Sequence, residues 1–308
     1  MSAALRSSLA DYLEVRRALG YKLERDEHFL EQFIDYLESR GESRLSSELA
    51  LAWATRPAGT ARGWWSNRLT AIRGFASYLQ TIDPTTEVPP RVMTAGPQRA
   101  TPFLYSEADV ASLMRAAETL QLPLGRATYR TLIGLLAVTG MRIGEEIAAD
   151  RDDLDLATGV LIVRRGKFGK TRALPLHAST VAALSDYLDR RDRLLPRPSA
   201  PSLFISTAGT RLIYKNVQHK FSRLVRRAGL GPRSATCRPR IHDLRHSFAV
   251  RTLLDWYQAG VDVQARLPLL STYMGHVHPS DTYWYLSAAP ELLAFAGERL
   301  ERHLGGAA

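Results

Sequence analysis

Five prolines, Pro84, Pro89, Pro90, Pro97 and Pro102, stand within residues 83–102, with few apolar side chains between them. Each proline removes a backbone donor and clashes with the preceding helical turn, so neither a continuous helix nor a central strand can cross this stretch. The break predicts two folded units: residues 1–82, a linker over 83–100, and residues 101–308. A hydrophobic fraction of 45% supplies side chains for a core in each.

The first unit reads as four helices. Leu5, Leu9, Tyr12 and Leu13 recur at helical spacing until Gly20, and Phe29, Leu30, Phe33, Ile34 and Leu37 form a second stripe closed by Gly41. Ser46 or Ser47 is placed to cap a short helix carrying Leu49 and Trp53. Thr60 is placed to cap a longer one whose apolar face holds Trp64, Trp65, Leu69, Ile72, Phe75, Ala76 and Leu79. Arg62, Arg68 and Arg73 fall largely on other faces of that helix, which suits either a solvated face or contact with a DNA backbone.

In the second unit Ser106 and Asp109 have the spacing of a capping box, and a helix is expected over 126–138. Two alternating segments, 160–165 and 172–176, flank a short basic loop with glycine at both ends, as in a hairpin. Helices follow at 179–194, 215–229, 242–258 and 290–304. The expected fold class is mainly α with a small antiparallel sheet.

The chain carries 41 Lys plus Arg against 31 Asp plus Glu, a formal net charge of +10. Residues 1–100 hold 13 basic and 12 acidic side chains, and residues 101–308 hold 28 and 19, so nearly all of the excess belongs to the second unit. Residues 220–251 carry nine Lys or Arg and one acid, Asp243. A run so one-sided favours a phosphate-bearing partner over a merely solvated face. A single cysteine, Cys237, excludes an internal disulfide framework and a multi-cysteine zinc site. Residues 1–11 lack the apolar core of a secretory signal, and the longest apolar run, 132–138, falls far short of the ~20 residues of a membrane span. A cytoplasmic protein with no membrane partner is expected.

Chemistry concentrates in five short segments. In Thr139-Gly140-Met141-Arg142-Ile143-Gly144-Glu145 a glycine ends one helix and an arginine opens the next. A cation at a helix N-terminus opposes the helix dipole, so Arg142 needs an anion. Either a bound phosphate supplies it, held jointly with backbone N–H groups, or Glu145 or Glu146 does so in a surface pair. The hairpin loop offers Lys167 and Lys170. In Ile241-His242-Asp243-Leu244-Arg245-His246, His242 and Arg245 share a helix face. His242 and His246 have the spacing of half a metal site, but flanking arginines repel a cation, so no metal is expected. Gly275-His276 comes next, and Tyr285 lies nine residues after His276 within Thr282-Tyr283-Trp284-Tyr285. Aromatic clusters are commonly core, a role that suits Tyr283 and Trp284.

In order, spacing and local context these segments resemble the tyrosine recombinase (phage integrase) family, over about half of the chain. The Ala148-Ala149-Asp150 segment departs from the larger apolar residues common there. The resemblance implies an N-terminal helical core-binding domain and a C-terminal catalytic domain. It implies DNA strand cleavage by a tyrosine, giving a 3′-phosphotyrosyl enzyme and a free 5′-hydroxyl, with no cofactor, metal or ATP. The absence of a G-x-x-x-x-G-K-[ST] loop agrees with the last point.

By the same resemblance Tyr285 is the nucleophile, with Tyr283 as the neighbouring alternative. Free tyrosine ionises near 10, so it needs cations or a base beside it. Arg142 and Arg245 would clamp the non-bridging oxygens of the scissile phosphate and stabilise charge that builds there. Arginine suits this better than lysine because its fork is bidentate and stays protonated. Lys167 would be the general acid, with Lys170 as the alternative. His242 would act as general acid/base and His276 as a hydrogen-bond donor. Contacts to DNA are expected from Arg62, Arg68, Arg73, Lys170, Arg172, Lys215, Lys220, Arg238 and Arg240.

The implied partners are a double-stranded recombination site and further copies of the chain. These would form a dimer on one site and a tetramer in synapsis, with helix 290–304 docking on a neighbour or on its own domain. Accessory DNA-bending or partner recombinase proteins, and a place in the bacterial nucleoid, belong to the same expectation. Integration, excision or transposition of a mobile element is the leading role. Xer-like dimer resolution, type IB topoisomerase activity and non-catalytic DNA binding are the competing readings.

Overall fold

The computed structural model describes residues 2–56, 59, 62–91, 100–164, 171–276, 278 and 280–287. The chain divides into two units, Met1–Ala100 and Thr101–Ala308. In the first, four helices form where apolar periodicity places them: α1 (Ser2–Ala18), α2 (Glu24–Glu38), α3 (Ser47–Thr55) and α4 (Arg62–Ile82). Leu9 and Leu13 of α1, Phe29, Phe33 and Leu37 of α2, Trp53 of α3 and Ile72, Phe75 and Leu79 of α4 meet in one core. Of the two candidate serines, Ser46 caps α3, its Oγ accepting the Leu49 N–H at 3.2 Å.

Two residues of α4 depart from the expected pattern. Trp64 is 43% exposed, its ring set edge-on to Phe29 at 5.0 Å. Arg68 is buried, with its guanidinium 3.4 Å from the centroid of the Trp53 ring, and burial lowers its pKa. A cation stacked on a core tryptophan is not available to a phosphate, so the DNA contact expected of Arg68 is corrected to a packing role. Beyond α4 the first part of the proline-rich stretch is strapped to this unit. Glu87 accepts the Ser47 N–H at 2.8 Å, Arg73 Nη1 donates to the Pro89 carbonyl at 2.7 Å, and Pro89 is buried. Thr60 and the side chain of Arg62 lie outside the described residues.

The second unit begins with α5 (Glu107–Glu118), α6 (Pro123–Thr139) and α7 (Ile143–Ala148). The expected capping box starts α5: Ser106 Oγ accepts from Asp109 N–H at 3.1 Å and the Asp109 carboxylate accepts from Ser106 N–H at 2.9 Å. Then β1 (Leu154–Asp155), β2 (Val160–Val163) and β3 (Arg172–Pro175) make an antiparallel sheet in sequence order, with Leu161 opposite Leu174 and Val163 opposite Arg172. After it come α8 (Ala178–Leu194), α9 (Tyr214–Arg227), α10 (Asp243–Gln258), α11 (Val263–Met274), α12 (Ser280–Tyr283) and a 3-10 turn, Trp284–Ser287. Leu161, Val163 and Leu174 enter the main core beside Leu132 and Leu136 of α6 and Leu184 of α8. A second cluster joins Val250 and Leu253 of α10 to Leu267, Leu270 and Met274 of α11 and to Tyr285.

The class is the one expected, mainly helical with a small antiparallel sheet. The sequence reading does not anticipate β1, α11, α12 or the 3-10 turn that follows it. At two residues β1 is too short to show a period. In α11, Pro268 marks a break by its chemistry, yet the helix persists. Asp262 caps it, accepting from Gln264 N–H at 3.0 Å and Ala265 N–H at 3.2 Å, and its apolar face is buried. Tertiary burial outweighs one lost backbone bond. Residues 165–170, holding Lys167 and Lys170, and residues 288–308, holding the expected helix 290–304, lie outside the described residues. No described helix is long and apolar enough to cross a membrane.

Gly140 terminates α6 at φ 58, and a Cβ built there would lie 2.3 Å from Cδ1 of Phe248. Gly140→Ala therefore combines left-handed backbone strain with overpacking. A loss of about 2–4 kcal/mol is expected, read as a lower urea midpoint at unchanged slope.

Candidate active site

The site is built where three breaks in helical structure meet. The turn from α6 to α7 presents Arg142, the start of α10 presents His242 and Arg245, and the end of α11 presents three backbone carbonyls followed by His276. Glycine makes two of these breaks, Gly140 after α6 and Gly275 after α11, the latter at φ 68.

The three carbonyls that end α11 each take one arginine. Tyr273 O accepts from Arg172 Nε at 2.8 Å, Met274 O from Arg245 Nη2 at 2.7 Å, and Gly275 O from Arg142 Nη2 at 2.9 Å. The C-terminal end of a helix carries partial negative charge, so it is a natural anchor for cations. Arg245 also donates through Nη1 to the Gly140 carbonyl at 2.7 Å, which ties α10 to the α6–α7 turn.

Glu145 closes the arrangement. Its carboxylate accepts from the Arg142 N–H at 2.9 Å, from Arg142 Nη1 at 2.9 Å, and from Arg172 Nη1 and Nη2 at 3.0 and 2.7 Å. Burial pushes the Glu145 acid up, but the hydrogen bonds and charges of Arg172 and Arg142 outweigh it and hold the group below its ordinary pKa. The pairing of Arg142 with Glu145 that the sequence offered as an alternative to phosphate thus forms. It leaves further N–H groups of Arg142, a side chain 25% exposed, facing outward.

Arg245 is 2% exposed. Burial, with the neighbouring charges of Arg142 and Arg172, lowers its pKa to about 10, while negative charge on Tyr285 raises it. It is cationic at neutral pH and electrostatically coupled to the tyrosine. Tyr285 is buried, whereas Tyr283 is 53% exposed and outside the cluster. The core role expected of Tyr283 therefore does not hold. The Tyr285 ring lies 6.0 Å from that of His276, 18° from parallel, and 5.5 Å from that of His246.

His276 Nδ1 and Thr282 Oγ1 are 2.7 Å apart, with Thr282 buried in α12. Burial and the charges of Arg245 and Arg142 lower His276 to about 4, so the ring is neutral at pH 7. A neutral ring that accepts the Thr282 proton at Nδ1 carries its own proton on Nε2, the donor a phosphate oxygen needs. His242, at the N-cap of α10, is also held below its ordinary value by desolvation and by Arg245, although the residue keeps an exposed edge.

Several expected residues turn out to be engaged elsewhere. Arg172, expected on DNA at its strand position, has a side chain only 13% exposed, with Nε on the Tyr273 carbonyl and Nη1 and Nη2 on Glu145. Arg240 chelates the buried Asp243 through Nε and Nη2 at 3.0 and 2.7 Å, which fixes the approach to α10. Lys220 Nζ lies 5.1 Å from the Tyr129 ring centroid. Lys215 and Arg238 are exposed. Among the described residues no group of three or more His, Cys, Asp or Glu is placed to hold a metal ion. Sequence reasoning missed Thr282, His246 and the α11 carbonyls. His246, beside Arg245 on one helix, and Thr282, beside the tyrosines, stood within motifs without a role of their own.

The fold is shared with DNA strand-transferring enzymes. The Tn1549 transposon integrase, solved with transposon right-end DNA, superposes with a TM-score of 0.66 at 18% identity over 96% of this chain and 98% of that one. The XerH recombinase, solved with its difH substrate after cleavage, gives 0.63 at 20% identity over 89% of this chain and 78% of that one. In sequence, the candidate integrase/recombinase y4rB of Sinorhizobium fredii (strain NBRC 101917 / NGR234) is 42% identical over 97% of this chain and 98% of its own length. The tyrosine recombinase XerC of Roseiflexus sp. (strain RS-1) is 30% identical over 83% of this chain and 80% of its own. The sequence profile of the phage integrase family matches residues 104–291. The chain belongs to this family, the tyrosine recombinases, enzymes that cleave and rejoin DNA strands.

The depressed His276 has a thermodynamic signature. The folded chain leaves the ring neutral down to about 4, whereas an unfolded chain protonates it near 6.5. Its contribution to stability is complete above that upper value and is lost as pH falls towards the lower one. His276→Gln is expected to flatten this part of the melting-temperature profile, measured by thermal denaturation across the interval.

Proposed function

We propose that the chain is a site-specific DNA recombinase in which Tyr285 attacks a scissile phosphodiester. The Tyr285 oxygen bonds to phosphorus and the bond to the 5′-oxygen breaks. The phenol proton passes to His242, and the leaving 5′-oxygen takes a proton from Lys167. Rejoining is the reverse attack by the 5′-hydroxyl of a partner strand. Arg142 and Arg245 hold the non-bridging oxygens, and His276 donates from Nε2. The observation that carries this reading is the convergence of Arg142, Arg245, His276 and a buried Tyr285 at the end of α11, with Arg245 coupled to the tyrosine.

The partner is double-stranded DNA, in keeping with the +9 carried by residues 101–308 and with the DNA complexes of the fold relatives. The biological role is integration, excision or transposition of a mobile element. The 42% identity to an integrase/recombinase and the likeness to a transposon integrase support it. The 30% identity to XerC favours dimer resolution as the second reading.

Incubation with a library of nicked duplexes of random sequence, followed by denaturing electrophoresis, should trap a covalent protein–DNA complex and reveal its site. Tyr285→Phe should abolish the complex, Tyr283→Phe should retain it, and Arg142→Ala or Arg245→Ala should slow it by on the order of 10²-fold or more. A complex that survives Tyr285→Phe and vanishes with Tyr283→Phe reverses the assignment. We further propose that residues 290–304, an amphipathic segment with Leu292, Leu293, Ala296, Leu300 and Leu304 at helical spacing, dock on a second copy in synapsis. Truncation after Ala289 should then leave cleavage measurable and abolish strand exchange between two duplexes. Undiminished exchange would overturn the docking.

A further inference from the structure

We infer that Arg172 is a positioning residue for the phosphate clamp and makes no contact with DNA; this rests on the function proposed above. All three nitrogens of its guanidinium are engaged on protein: Nε with the Tyr273 carbonyl, Nη1 and Nη2 with the two oxygens of Glu145. Those partners are the neighbours of the clamp. Glu145 is the carboxylate that holds Arg142 by its backbone and its side chain, and Tyr273 stands two residues before the carbonyl on which Arg142 rests its other edge. Arg172 therefore braces Arg142 through the carboxylate the two share and through the helix end on which both rest.

Steric fit supports the same role. A Cβ at Gly275 would lie 2.7 Å from Arg172 Nη1 and 2.9 Å from its Cζ. The guanidinium thus packs closely against the left-handed turn that precedes His276. A lysine in its place supplies charge to Glu145 but has no planar fork to hold a carboxylate and a carbonyl together. Without Arg172, Glu145 is a buried carboxylate with one cationic partner instead of two, free to draw Arg142 inward and away from the phosphate.

The experiment compares wild type, Arg172→Ala and Arg172→Lys on two saturated duplexes carrying the identified site. One has a normal scissile phosphodiester. The other has a neutral methylphosphonate there, which lacks one of the charged oxygens the clamp must hold. On the phosphodiester, Arg172→Ala should form the covalent complex up to about 100-fold more slowly than wild type, since small misplacements of reacting groups cost that much. Arg172→Lys should recover part of the rate. On the methylphosphonate the gap between variant and wild type should shrink.

In an Arg142→Ala background, where the braced arginine is already gone, adding Arg172→Ala should leave the slope of log binding constant against log salt unchanged, whereas loss of a phosphate contact of Arg172's own lowers it by about 0.9. A rate deficit equal on both duplexes, no deficit at all, or a further fall in salt slope in the Arg142→Ala background would each overturn the inference. If Arg172→Ala shows no cooperative melt, Arg172→Lys alone carries the comparison, with the same outcomes deciding. A wild-type protein that forms no covalent complex overturns the underlying function, an outcome distinct from any behaviour of the variants.

Discussion

The end of α11 is the point on which the site depends. A helix terminus leaves its last carbonyls without intrahelical partners, and here three consecutive ones, at Tyr273, Met274 and Gly275, are satisfied by three arginines from three other segments. Each arginine gains an anchor at the negative end of a helix dipole, and each anchor fixes one segment against α11. Glu145 then links two of the arginines to each other. Removing any one contact would leave a charged or polar group buried without its partner, so the cluster holds together as a set.

Burying so much charge is unfavourable in itself, and the lowered pKa of Arg245 is the visible strain. Among the described residues Glu145 pairs with two of the three guanidiniums, Arg142 and Arg172, and the cluster carries an excess of positive charge. In the proposed reaction a phosphate diester held by Arg142 and Arg245 would supply an anion to it, and a phenolate at Tyr285 would act in the same direction. Burial, aided by the same positive charge, holds His242 and His276 below the ordinary pKa of an imidazole.

Much of this was legible in the chain because it is local. The four helices of the first unit, the capping box at Ser106 and the glycine stop at Gly140 follow from periods and caps read within a few residues. The clamp residues stood out as short motifs in a particular order. Hidden were the features that exist only between segments. Arg172 looked like a strand-end cation for DNA, and nothing nearby in sequence announces Glu145, 27 residues earlier, as its partner. Arg68 looked exposed by its helical phase, but the Trp53 ring it covers belongs to another helix. α11 went unread, and its apolar contacts show why it forms in spite of Pro268.

The separations across the arginine anchors have a last consequence. Arg142 reaches a carbonyl 133 residues away, Arg172 one 101 residues away, and Arg245 bridges 105 residues to Gly140. No fragment shorter than the 133-residue separation of Arg142 from Gly275 contains the assembled clamp, and such long-range closures are slow to form in folding. A nascent or partly unfolded chain bears the proposed nucleophile without the assembled cations beside it. Under the proposed mechanism, folding itself is thus the safety catch on the strand-cleaving group.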